Sequence, residues 1–267
     1  MIQLIETYCK AKKEESQNED GLFLSDRFIA VVDGATSKNA KLHNGKTGGQ
    51  IIKDIILDAL NELVGEESYY EAVCKIQARI EADFPEDKFF HATASAVIYS
   101  VMKKELWFVG DCQAMINGSI YDNKKEVDQV ASKARSIAIS AYLESGMSEA
   151  DIQNNDLGRE LILPLLKLQA HLENNDSRYG YLVFNNSGMP DAVLKSKGLT
   201  VAVPSGSEVI LASDGYPILK NTLAESESVL NQLLVEDPLC YKENMTTKGL
   251  GEDGNSFDDR TFVRFTS

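Results

Sequence analysis

The sequence predicts an α+β layered domain, with sheet packed on sheet and helices on the outside. Three observations point there. Strand-like and helix-like segments come in blocks, without the regular strand–helix alternation of a parallel sheet. No low-complexity linker or internal repeat divides the 267 residues, so the chain reads as one domain over 1–267. Hydrophobic residues make up 43% and charged residues 25%, the balance of an ordinary globular chain.

The elements follow in order. "GLFLSDRFIAVVDG" reads as two short strands joined near Ser25–Asp26. "KTGGQIIKDIILDALNELV" sets Ile51, Ile52, Ile55, Ile56, Ala59, Leu60 and Leu63 at helical spacing. "YYEAVCKIQARIEADF" repeats that pattern with Ala72, Val73, Ile76 and Ile80. "HATASAVIYSVM", "KKELWFVGD" and "CQAMINGSIY" are β-branched and aromatic with short polar joints, which predicts an antiparallel meander. From about Ser132 to Glu173 the pattern is helical and more polar, with a break at Gly146. "YGYLVF", "LTVAVP" and "SEVILASDG" predict strands, the segment after Gly215 a helix, and "RTFVRF" a last strand.

Composition excludes several classes. A net charge of −14 disfavours nucleic acid and anionic membranes, which reward excess Lys and Arg. No apolar run reaches the length of a membrane span, and "MIQLIETYCK" lacks a basic-then-apolar leader. Cys9, Cys74, Cys112 and Cys240 are far apart, which predicts reduced thiols in a cytoplasmic protein. His43, His91 and His171 have no metal-ligand spacing, so a zinc hydrolase is disfavoured.

What stands out is acidic. "QNEDG" (Glu19, Asp20), "VVDGA" (Asp33), "VGD" (Asp111), "LASDGY" (Asp214) and "SFDDRT" (Asp258, Asp259) lie at strand ends or in loops. Any one Asp-Gly is most often a turn, because Gly tolerates positive φ and Asp bonds its own backbone. Carboxylates brought together without cations repel one another, whereas Mg²⁺ and Mn²⁺ favour such oxygen ligands. Two such ions can activate a water and clamp a phosphoryl group, so an elaborate acidic centre points to phosphoester hydrolysis.

The ordered set N-E-D, V-V-D-G, V-G-D, A-S-D-G, D-D-x-T resembles the metal-dependent protein phosphatases of the 2C type, in their bacterial style, over essentially the whole chain. The resemblance implies a four-layer αββα fold, two packed antiparallel sheets flanked by helices, with a variable flap at about 131–176. It implies two Mn²⁺ or Mg²⁺ ions and hydrolysis of phosphoserine or phosphothreonine by a water between them. Asp33 would bridge both ions, and the Gly34 carbonyl and Glu19 would bind one, with Asp20 acting through water. Asp214 and Asp258 would hold the other, which makes Asp33, Asp214 and Asp258 the catalytic set. Asp111 matches the Gly-Asp element, in a supporting role. Asp128 falls about where some members hold a third ion. The implied partner is a phosphoprotein substrate, with a cognate serine/threonine kinase.

Two departures matter. The family's phosphate-gripping Arg, five residues before the first-motif Asp, is Glu15 here. Lys12, Lys13 and Arg27 are the candidates to replace it. A His that follows the Asp-Gly in many eukaryotic members is Ala35, leaving water, or the loop bearing Lys38, His43 and Lys46, as proton donor. The lost Arg is also compatible with a pseudophosphatase that serves as a binding module, or with a metallohydrolase of small phosphoesters.

Overall fold

The computed structural model describes residues 2–35, 42–85, 91–250 and 255–267. Strands β1 (Gln3–Lys10), β2 (Asp20–Leu24) and β3 (Phe28–Gly34) precede helices α1 (Gly48–Glu62) and α2 (Tyr69–Asp83). Strands β4 (Thr93–Ser100), β5 (Glu105–Val109), β6 (Gln113–Ile116) and β7 (Ser119–Tyr121) come next. Helices α3 (Glu126–Glu144), α4 (Glu149–Asn155) and α5 (Leu157–Leu168) follow. Strand β8 (Phe184–Asn185), helix α6 (Asp191–Lys197), strands β9 (Leu199–Ala202) and β10 (Glu208–Ala212), helix α7 (Leu223–Glu236) and strand β11 (Arg260–Thr266) complete the order.

Two antiparallel sheets result. One has the order β1-β11-β10-β6-β7 and the other β2-β3-β4-β5-β9, with β8 pairing β4. Alternate residues of the strands meet between the sheets, where Ile29, Val31, Val97, Phe108, Leu211, Val263 and Phe265 are buried together. The opposite faces of β3, β4 and β5 carry Ala30, Val32, Ile98 and Trp107 against α1 and α2. Ile210, Ala212 and Phe262 face Leu230 and Leu234 of α7. That is the four-layer αββα arrangement, and the period-2 alternation of the strands produces it.

Local chemistry explains the helix starts. Thr47 and Ser68 cap α1 and α2, and each completes a capping box with Gln50 or Glu71. Gly146, with φ 92°, separates α3 from α4 as the break predicts.

Three expectations need correction. The meander is split: β4 and β5 stay in one sheet, while β6 pairs β10 and β7 in the other. Gly110, at φ 84°, lets the chain pass between sheets, and a Cβ there would lie 2.2 Å from the Ser95 hydroxyl. "YGYLVF" supplies only Phe184 of the two-residue β8, with one isolated bridge from Tyr181 to Glu173. Strand β1 and the short α6 were not expected from the sequence. No helix among the described residues is long and apolar enough to cross a membrane.

Candidate metal centre

The inter-sheet alternation that buries Ile29 and Val31 carries on to Asp33, at the open end of the sandwich. Asp20 is directly opposite Asp33 in the β2–β3 ladder, and Ser95 of β4 is opposite it on the other side. Ser95 Oγ donates to Asp111 Oδ1 at 2.5 Å. Asp214 follows β10 and Asp258 precedes β11, so the second sheet delivers its carboxylates to the same end. Asp33, Gly34, Asp111, Asp128, Asp214 and Asp258 all line one cavity of about 570 Å³.

The electrostatics divide this set in two. Burial pushes Asp33 and Asp214 well above the usual carboxylate range, and neighbouring carboxylates add to the effect. The two lie side by side, close enough for one carboxyl to donate to the other. Burial also pushes Asp20 up to about 8 against the opposing hydroxyls of Ser213 and Thr261, with Asp258 and Asp259 adding their charge. Those hydroxyls do not close ordinary hydrogen bonds to it: both Asp20 oxygens are buried without a partner. Ser213 Oγ accepts from the Thr261 N–H, and Thr261 Oγ1 meets Cys9 Sγ.

Asp258 and Asp111 behave oppositely. Burial raises them, but Lys248 and Lys12 bring Asp258 below its ordinary value, and Lys125 does the same for Asp111. Lys12 Nζ stands 3.2 Å from Asp258, 3.3 Å from Asp259 and 3.5 Å from Glu19. Lys248 Nζ is 2.5 Å from Asp258, and Lys125 Nζ is 3.0 Å from Asp111. Glu19 also accepts from Thr47 Oγ1 at 2.6 Å.

Among the described residues, no three His, Cys, Asp or Glu side chains gather into a cage for one ion. Ammonium groups separate the carboxylates of the acidic centre: Lys12 stands between Glu19 and Asp258. The donor set nonetheless fits hard divalent ions. It is all oxygen, it holds a buried carboxylate with no partner, and it pairs two carboxylates whose repulsion a cation would relieve. Mg²⁺ in particular keeps several water ligands and needs only one or two carboxylates of its own.

The other expected residues scatter. Asp128, in the first turn of α3, lies on the cavity wall and accepts from Gln169 Nε2 at 2.6 Å. Lys12 is in the centre, though it grips carboxylates. Lys13 is exposed in the β1–β2 connection and does not line the cavity. Arg27 needs correction: it precedes β3, at the end opposite Asp33, and donates to the carbonyls of Leu63 and Asn61. Glu15 is exposed. His43 and Lys46 form an exposed bridge outside the cavity, with Lys46 held by Asp54 at 2.7 Å, and Lys38 lies outside the described residues.

The layers and the convergence of strand ends can be set beside solved structures. The serine/threonine phosphatase PstP/Ppp of Mycobacterium tuberculosis is similar over 99% of this chain and 98% of its own, at 14% identity and a TM-score of 0.50. This fold is that of a bacterial serine/threonine phosphatase. Two weaker likenesses are the PstP catalytic domain in complex with two manganese ions (16% identity, 100% and 99% covered, TM-score 0.49) and Stp1 of Staphylococcus aureus (13% identity, 100% and 95% covered, TM-score 0.49). No family model matches the sequence, and no curated protein does.

Within this fold, sequence reasoning named Asp259 without giving it a role, and missed Lys125, Lys248 and Arg159. Asp259 accepts from the backbone N–H groups of Lys12 at 2.7 Å and Glu19 at 3.1 Å, which fixes the first acidic motif against the last. Its doublet with Asp258 was the signal. The three cations lie just before α3, in α5 and in the strap before β11, and no local spacing marks them.

Proposed function

We propose that the chain is a Mn²⁺- or Mg²⁺-dependent phosphatase of phosphoserine and phosphothreonine, acting on phosphoproteins made by a serine/threonine kinase. The observation that carries this reading is the set Asp33, Asp214 and Asp258 lining one cavity, with Asp20 buried and unpartnered opposite Asp33 in the ladder. Lys12 and Lys248 compensate Asp258, but no ammonium pairs with Asp20, Asp33 or Asp214 among the described residues, and hard cations suit such a set.

Asp33 and the Gly34 carbonyl would hold ions from one sheet, and Asp214 and Asp258 from the other, with Glu19 and Asp20 alongside. When bound, two divalent ions supply the charge that activates a water and neutralises phosphoryl oxygens. The chain's own residues do the rest. Ser95 and Lys125 hold Asp111 beneath the cavity. Asp259 fixes the backbone at Lys12 and Glu19. The walls from α3 and α5 narrow access to the floor. With Ala35 after the Asp-Gly, the proton for the leaving group comes from water.

The test is hydrolysis of p-nitrophenyl phosphate with Mn²⁺, followed by comparison of phosphopeptides with small phosphoesters. Wild type turns over only with metal, and Asp33→Asn loses about 10²-fold or more. Metal-independent turnover, or an unimpaired Asp33→Asn, would sink the reading. Preference for small phosphoesters would reassign the substrate.

A further inference from the structure

Of the cations that line the cavity, two are used by nothing described so far: Lys133, exposed on α3, and Arg159. Arg159 lies in the first turn of α5 and lines the cavity, close enough to Asp258 for the two charges to be felt. Its position is fixed from behind. The Asp156 carboxylate accepts from the Arg159 N–H at 3.0 Å and takes two bonds from Arg135, at 3.0 and 3.1 Å. Arg159 Nη1 donates to the Thr247 carbonyl at 2.9 Å, next to Lys248.

Among the described residues, that is the guanidinium's one hydrogen bond, and no carboxylate stands within ion-pair distance of it. Lys133 is an exposed ammonium on a flexible stem, and the other cations of the cavity are committed otherwise. Lys125 is held by Asp111 at 3.0 Å, Lys124 by Asp122 at 3.2 Å and Lys248 by Asp258 at 2.5 Å. Arg159 is therefore a half-buried guanidinium with an uncommitted edge on the phosphatase cavity. Burial and the nearby Arg135 both disfavour its charge, against the pull of Asp156 and Asp258. Such a group is compensated when an anion enters. A guanidinium fork matches two oxygens of a phosphoryl group, which an ammonium on a flexible stem cannot do.

We propose that Arg159 is the substrate-phosphate anchor of this site, gripping a phosphomonoester from the flap side where the first motif offers Glu15. The proposal rests on the phosphatase reading for its substrate but on the geometry of α5 for its residue. It also assigns the flap a direct part in binding the phosphate.

The experiment measures binding of inorganic phosphate by calorimetry to Mn²⁺-treated wild type, Arg159→Gln and Arg159→Lys, alongside KM and kcat for p-nitrophenyl phosphate. Arg159→Gln is expected to weaken phosphate binding by about 10- to 100-fold and to raise KM in step, with kcat changed less. Arg159→Lys keeps the charge and the fold but loses the fork, and is expected to fall between the two. Phosphate affinity and KM within about twofold of wild type, in variants that melt as wild type does, would overturn the anchor and leave the phosphatase reading standing. If Arg159→Gln melts early, Arg159→Lys alone decides. Phosphate binding that depends on Arg159, in a wild type that hydrolyses nothing, would uphold the anchor and sink the phosphatase reading. A wild type that neither binds phosphate nor turns over would overturn both.

Discussion

Gly34 lies within β3, in register with Ala94, and its φ is not in the left-handed region. A Cβ there would come 2.3 Å from the Gly49 carbonyl oxygen, and one on Gly215 would come 2.0 Å from that of Asp259. The glycines that follow Asp33 and Asp214 therefore serve close backbone approach, which brings α1 against the first carboxylate and the last strand against Asp214. Gly146 is the contrast, with φ 92° and open space around its missing side chain. Gly34→Ala and Gly215→Ala are expected to cost about 2–3 kcal/mol or more, and Gly146→Ala about 1–2, by urea denaturation. Equal losses at all three would refute the close-approach argument. In the sequence "AVVDG" is legible as a turn or as a metal-site strand end. The turn reading fails because the ladder continues through Gly34. Arg159 and Lys248 were not legible at all, since their meaning depends on where α5 and the strap come to rest. Lys12 belongs at this scale too. Lys12→Met removes the ammonium between Glu19, Asp258 and Asp259, so the variant should melt lower in chelator and recover more of its Tm with Mn²⁺ than wild type does.

Among the elements, those with a local signature were the readable ones. Helices α1 and α2 announce themselves by apolar spacing and by T-x-x-Q and S-x-x-E boxes. The sheet switch at Gly110 was hidden, because alternation identifies a strand without naming its partner. Strand β1 was hidden for another reason: it is an edge strand, Leu4 and Ile5 are exposed, and only β11 supports it. Helices α3 to α5 are fastened by charge as well as by the apolar contacts of Ile139 and Ile152 with Leu239. Arg135, 1% exposed, holds Asp156 with one side of its guanidinium and donates to the carbonyls of Leu239, Cys240 and Thr246 with Nη1. Gln153 and Arg159 add bonds to the carbonyls of Leu250 and Thr247. Removing Asp156 strands a buried guanidinium, so Asp156→Ala should cost about 3 kcal/mol in urea denaturation. It should also loosen the strap, read as faster amide exchange across 238–250. A loss under about 0.5 kcal/mol would mean that the seating of α3 to α5 does not depend on this pair.

For the whole molecule, the acidic centre couples folding to pH. Asp20 binds its proton up to about pH 8 in the folded state, and burial raises Asp33 and Asp214 as well. The unfolded chain releases those protons near pH 4. Between these limits the native state holds more protons than the unfolded state, so stability falls as pH rises. Asp258 and Asp111 work the other way, because their native values are depressed. Their stabilisation is complete above the unfolded value and is lost only as pH falls below it, so it does not oppose the first trend between pH 5 and 8. In chelator, Tm should decline steadily from pH 5 to pH 8, as the unfolding free energy falls by up to about 1.4 kcal/mol per pH unit for a single such group. Divalent cations compete with those protons, and their binding releases them. Mn²⁺ should therefore raise Tm more at pH 8 than at pH 5, flattening the decline. A Mn²⁺ shift of the same size at both values would mean that the ion binds away from Asp20, Asp33 and Asp214. The −14 charge would then be a solvated surface and no reservoir of ligands.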